Sequence, residues 1–125
     1  MNDELSYDRF LQNIAIGANN KASTAVQQNC PVSYALNTLQ GKWTNHVLFE
    51  MCAHEKVRFG ELKKALPKIT NTVLANTLRE LEASGLVNRE QFNEIPPRVE
   101  YSLSEKGKDL LPIYYEMFRW GMKYR

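Results

Sequence analysis

At 125 residues the chain can bury one modest core but is too short for several domains. Its 43% hydrophobic and 24% charged residues exclude compositional disorder, and two cysteines are too few for a secreted disulfide scaffold. A net charge of +2 selects no partner by itself, and no apolar run approaches the roughly 18 residues of a membrane span.

The N-terminus, MNDELSYDRF, is acidic and polar, unlike a signal peptide, so a cytoplasmic protein with no membrane partner is expected. A first helix is predicted from Asp3 to about Gly17, with Leu5, Phe10, Leu11 and Ile14 as its apolar stripe. GANNKASTAVQQN reads as a polar connection. In CPVSYALNTLQG, Pro31 suits the first helical position, Val32, Leu36 and Leu39 share a face, and Gly41 ends the helix. KWTNHVLFEMCAHE follows as a helix expected to bury Trp43, Val47, Leu48 and Met51.

A short helix over Phe59 to Leu66 is stopped by Pro67, which removes a helical donor and clashes with the preceding turn. Thr70 is the predicted N-cap of the next helix and Gly85 its terminator. LVNREQF and RVEYSL read as two strands, the second alternating at Val99, Tyr101 and Leu103. Pro96 and Pro97 cannot donate to a ladder and so mark the hairpin tip. Ser104 is expected to cap a final helix running to about Tyr124, with Leu110, Tyr114, Met117 and Phe118 on one side and a bend at Pro112.

The helix after Thr70 has an unusual outer face. With 100° per residue, Leu74, Leu78 and Leu81 fall within about 60°, with Thr77 beside them, and must face the core. Asn71, Thr72, Ala75, Asn76 and Arg79 spread over about 140° on the other side. Small hydrogen-bonding side chains there suit the major groove: Asn can bond adenine twice, Thr offers a methyl and a hydroxyl, and Ala75 permits close approach. Capping preference explains Thr70 and Asn71, but not Asn76 in the second turn.

Between Lys56 and Arg89 lie seven basic residues against three acidic ones, an excess that suits a polyanion, although a solvated face is the plainer explanation. The preceding short helix and the PKIT turn complete a helix-turn-helix, with Lys63 and Lys68 beside it. The hairpin is then a wing that places Arg98, just past its tip, to meet phosphate or the minor groove. The expected fold is α+β, mostly α: a winged helix-turn-helix with extra N- and C-terminal dimerisation helices. Its expected parts are an N-terminal helix and linker over 1–29, a DNA-binding core over 30–104 and a C-terminal helix over 105–125.

His46 and His54 have no cysteine or carboxylate at ligand spacing nearby, so no metal site is expected. No Gly-rich phosphate loop, G-x-S-x-G turn or carboxylate pair set in apolar sequence is present, so no catalytic residue, cofactor or enzymatic activity is expected. The rival to DNA reading is a winged-helix module whose exposed helix face meets another protein.

The segments CPVSYALNTLQGKWTNHVLFEM, RFGELKKALPKITNTVLANTLRELEASGLVNRE and IPPRVEYSLSEKGKDLLPI closely resemble the HxlR family of bacterial winged helix-turn-helix regulators. The resemblance covers roughly Cys30 to Gly121. The Cys-Pro start, the Gly-Lys-Trp-Thr segment and the Pro-Pro-Arg-Val-Glu-Tyr wing carry it. It implies a homodimer on double-stranded DNA, paired through the outer helices, and in some members a sensor of oxidants or electrophiles at the Cys30 position. Two departures stand out. Thr77 replaces a basic residue that the family usually carries before the leucine matching Leu78, which puts one phosphate contact in doubt. The segment before Cys30 is also longer than is typical.

Cys30 has independent physical interest. It precedes Pro31 at the N-cap, where helix charge and free amides favour thiolate over thiol. The alternatives are a redox sensor that reacts with a small electrophile or oxidant, and a small residue packed under the helix start. Cys52, between Met51 and Ala53, reads as core, and its pairing with Cys30 is left open by the sequence.

Overall fold

A computed structural model describes residues 6–12 and 30–125 of the chain. They divide between two compact units, Met1–Leu39 and Gln40–Arg125. In the first unit, residues 7–12 are helical, and the Ser6 hydroxyl accepts the Arg9 amide at 3.2 Å. The rest of the predicted first helix and the polar connection lie outside the described residues.

Helix α1 spans Pro31–Thr38, with Cys30 as N-cap and Pro31 in its first turn. It buries no residue: Val32 and Leu36 are 50% and 67% exposed. The predicted terminator, Gly41, lies beyond the Leu39 cap. Its φ of +120° instead forms the turn into the next helix, where the Thr44 hydroxyl donates to the Gln40 carbonyl at 2.9 Å.

The second unit is a winged helix-turn-helix. Helix α2, Thr44–Met51, buries Val47, Leu48 and Met51. Trp43 is a half-buried N-cap rather than a core residue. Helix α3, Phe59–Ala65, buries Leu62 and ends at Leu66, ahead of Pro67. Arg58 donates its amide to the Glu61 carboxylate at 2.8 Å, the reverse half of a capping box.

Helix α4 runs Asn71–Ala83 and buries Leu74, Thr77, Leu78 and Leu81, the face required by its periodicity. Thr70 caps it by accepting the Val73 amide at 3.2 Å. Ile69 and Leu74, both buried, occupy the two positions of a hydrophobic staple that orients the turn from α3. At the far end Gly85 has φ +76°. Leu86 donates its amide to the Leu81 carbonyl and Gly85 to that of Glu82, the paired bonds of a Schellman motif. This motif sets the direction in which the chain enters the sheet.

Strands β1, Val87–Phe92, and β2, Arg98–Leu103, pair antiparallel, with Val87 opposite Leu103 and Phe92 opposite Arg98. A separate rung on β2, not visible in the sequence pattern, comes from Val57, which exchanges both backbone hydrogen bonds with Tyr101 at 2.8 Å. The core is closed by Leu86, Val87, Leu103, Leu110 and Tyr114.

The predicted single C-terminal helix is two helices. Helix α5, Glu105–Lys108, is capped by Ser104, and α6 spans Leu111–Tyr124 with Pro112 in its first turn. Pro112 would clash with the carbonyl of Lys108, four residues back, so it starts a helix instead of bending one. Helix α6 buries Tyr114 alone. Met117 and Phe118, expected to pack inward, are 56% and 58% exposed.

Candidate nucleic-acid interface

The outer face of α4 is built by what its inner face requires. With the leucines committed to the core, Asn71, Thr72, Asn76 and Arg79 are exposed and Ala75 is half-buried. The first turn of α4, like those of α1, α2 and α6, holds no acidic residue, whereas Glu61 and Glu105 in the first turns of α3 and α5 complement the positive end of the helix dipole. Leaving that end free of carboxylates favours an external anion.

The positive charge sits beside it. Lys63 and Lys64 occupy the last turn of α3, where they complement the dipole, and Lys63 donates to the Pro67 carbonyl at 3.0 Å. Lys68 is exposed in the connecting turn. On α4 itself Arg79 donates to the Asn76 side-chain oxygen at 2.8 Å, so one arm of the best candidate base reader is held by its neighbour. Thr77 is 8% exposed and faces the core. The departure from the family at that position therefore does not touch the outer face.

The hairpin carries two sets of charges. Glu90 and Glu100 stand directly opposite one another, a repulsive arrangement in an antiparallel pair. Lys56 offsets it, lying 3.7 Å from Glu90 and 4.0 Å from Glu100. Arg98 is drawn into the same cluster, 3.6 Å from Glu94 and 3.8 Å from Glu100. Its guanidinium also stacks 4.0 Å from the centre of the Phe92 ring, and its Nε is buried without a hydrogen-bond partner. The expected phosphate contact is thus folded back onto the wing. Lys56, counted in the basic excess, is likewise neutralised within the hairpin.

In the sequence Arg89 stands out only as one of the seven basic residues between Lys56 and Arg89. It lies opposite Tyr101, and both line a groove of about 370 Å³ with Ala75, Arg79 and Glu82. The strand alternation carried this signal: Arg89 shares its face with buried Val87, which turns it towards α4.

Away from this face, a second cavity of about 280 Å³ lies between α2 and α6, lined by Asn45, His46, Phe49, Tyr114, Met117 and Phe118. The Tyr114 hydroxyl donates to the Asn45 side-chain oxygen at 2.7 Å. Burial raises the Tyr114 pKa well above the usual phenol range, and the Cys52 thiol adds to the shift. Burial also raises the pKa of Cys52, which caps α2 half-buried rather than lying in its interior. Cys30 is half-exposed at its N-cap, makes no side-chain capping bond, and like Cys52 is a free thiol. No group of side chains suited to a metal occurs among the described residues, and no described helix is long and apolar enough to cross a membrane.

The sequence pattern described as HxlR-like helix-turn-helix matches residues 38–125. An HTH-type transcriptional regulator of Methanothermobacter thermautotrophicus is 50% identical over 95 residues, covering 76% of this chain and 72% of that protein. Among solved structures, the redox regulator HypR in its oxidised form is 44% identical with a TM-score of 0.70, covering 77% of this chain and 98% of that one. Reduced YodB from Bacillus subtilis is 31% identical with a TM-score of 0.67, covering 76% and 93%; YodB has also been solved diamide-treated and quinone-bound. With the winged helix-turn-helix and the exposed outer face of α4 in place, the chain belongs to the HxlR-like helix-turn-helix family of transcriptional regulators.

Proposed function

We propose that the chain is a homodimeric regulator that reads a pseudo-palindromic operator through α4, with Asn71, Thr72, Ala75 and Asn76 against base edges. Thr70 holds the helix start, while Lys63, Lys68 and Arg79 meet phosphate. The observation that carries this reading is the outer face of α4, exposed, free of carboxylates in its first turn and flanked by lysines. Arg98 serves it by fixing the wing, since its charge is spent on Glu94 and Glu100. The function needs no catalytic residue or cofactor.

Dimerisation through α6 is supported by its exposed apolar side chains, among them Met117, Phe118 and Trp120. A response to an oxidant or electrophile at Cys30 is supported by the free, half-exposed thiol and by the likeness to regulators solved in oxidised and quinone-bound forms.

A gel-shift titration over a salt series tests DNA reading against a protein-contact role. Binding through several phosphate contacts must weaken steeply, by roughly 0.9 in log–log slope per contact. A slope near zero, or no shift with any duplex, would favour the protein-contact module.

A further inference from the structure

The groove between α4 and the hairpin has a charge pattern unlike the rest of the wing. Lys56 and Arg98 are neutralised by wing carboxylates. Arg79 and Arg89, which line opposite walls of the groove, make no ion pair among the described residues. Among the described residues their side chains bond to neutral amides: Asn76 for Arg79 at 2.8 Å, and Gln91 for Arg89 at 3.4 Å. Glu82 also lines the groove, leaving it one positive charge in excess.

The walls are held firmly. Tyr101 is locked to Val57 by two backbone bonds of 2.8 Å, and the Schellman turn fixes β1 relative to α4. A volume of about 370 Å³ is ample for one phosphate group. Guanidinium forks match phosphate geometry, and a phosphate adds the opposite charge that the neutral amide partners lack.

We propose that this groove seats one backbone phosphate between Arg79 and Arg89, and that seating it draws Arg79 away from Asn76. The Asn76 amide needs both its oxygen and its nitrogen, correctly turned, to bond adenine twice, and in the free protein Arg79 holds that oxygen and fixes the amide's orientation. Phosphate capture therefore releases the base reader. Arg89 is a specificity-determining residue without touching a base, because it acts through Arg79. Asn76 is ready to read only on a correctly placed backbone.

This inference rests on the DNA-reading proposal, and the two fail differently. The probes are two fluorescein-labelled duplexes of equal length and composition, one enriched by the wild-type chain from a randomised pool and one scrambled. If the wild-type chain binds both alike, DNA reading fails and the inference with it. Given a wild-type preference, Asn76→Ala should lower the ratio of the two affinities roughly tenfold. Arg89→Gln should reduce the salt slope by about 0.9 per subunit and lower the same ratio. In the double variant the two losses of ratio should not multiply, because both remove one contact. If Arg89→Gln weakens both duplexes equally, leaves the slope unchanged, or multiplies with Asn76→Ala, the coupling is refuted while DNA reading stands. Arg89→Lys should restore the slope; a slope still depressed with lysine would place the effect in wing folding and overturn the assignment.

Discussion

Asn76 and Arg98 show how far a residue's role follows from its position in the sequence. The exposure of Asn76 was legible because helical periodicity alone separates it from Leu74 and Leu78. The fate of Arg98 was not, because it depends on strand register. The register sets Phe92 opposite Arg98 and leaves Glu100 two residues along the same strand, and the connection adds Glu94, so one ring and two carboxylates surround the guanidinium. Arg98→Ala is therefore expected to lower stability by about 1 kcal/mol, the sum of a stacked cation and partly exposed ion pairs. It should leave the salt dependence of DNA binding unchanged. Equilibrium urea unfolding and a salt titration of the same variant check both halves; a shallower salt slope would return Arg98 to the phosphate contacts.

Tyr114 and Cys52 set an alkaline limit on stability among the described residues. Both have pKa values raised in the folded protein, chiefly by burial. The unfolded chain then loses protons first as pH rises, so stability is complete below the ordinary thiol value of about 8.5 and declines through the alkaline range above it. Tyr114→Phe removes the bond to Asn45 and should cost about 1 kcal/mol at neutral pH. The variant should also show a smaller alkaline decline than the wild type in urea unfolding above about pH 10, where the unfolded phenol ionises and the buried one does not. An equal decline in both would mean that other groups control it.

At the scale of elements, the helix-turn-helix was legible because its determinants are local: a threonine cap, a leucine stripe, a proline stop and a glycine terminator. The Val57 rung is a single residue and leaves no periodic trace, so only the tertiary structure reveals it. Pro112 announced an interruption, but whether a proline bends a helix or starts one depends on the turn before it. That turn is held by α5. The Ser104 hydroxyl accepts the Gly107 amide at 3.1 Å and donates to the Gly85 carbonyl at 2.6 Å. Lys106 donates to the Ser84 carbonyl at 3.0 Å.

This clasp brings α5 so close to the end of α4 that a Cβ at Gly107 would collide with the Leu86 carbonyl oxygen. Gly107→Ala is expected to destabilise the protein by about 1–3 kcal/mol. Gly60, in α3, has open space around it, and Gly60→Ala should stabilise by about 0.4–1 kcal/mol through the unfolded chain. Urea unfolding of the two variants should give shifts of opposite sign. Equal signs would show that the clasp does not constrain Gly107.

At the scale of the whole molecule, α6 presents an exposed apolar face among the described residues. The sequence showed its apolar residues but not which would find cover: Leu110 and Tyr114 do, whereas Phe118 and Trp120 are 58% and 68% exposed. In the proposed dimer these residues meet the second copy. Trp120→Glu should therefore give a monomer in sedimentation at micromolar concentration, with DNA affinity falling because a single α4 contacts too few bases. A wild-type monomer, with and without DNA, would remove the dimer from the proposal.

The central claim is that α4 reads base edges through the stripe centred on Asn76. Its most direct measurement is the affinity of wild type and Asn76→Ala for a set of duplexes in which each base pair of an enriched site is replaced in turn. The wild type is expected to lose about 1–3 kcal/mol on replacement of one symmetry-related base pair in each half-site, and Asn76→Ala to become indifferent to that pair while keeping its other preferences. An unchanged base-pair profile, with every duplex weakened alike, would contradict base reading by Asn76 and reduce that residue to a general backbone contact.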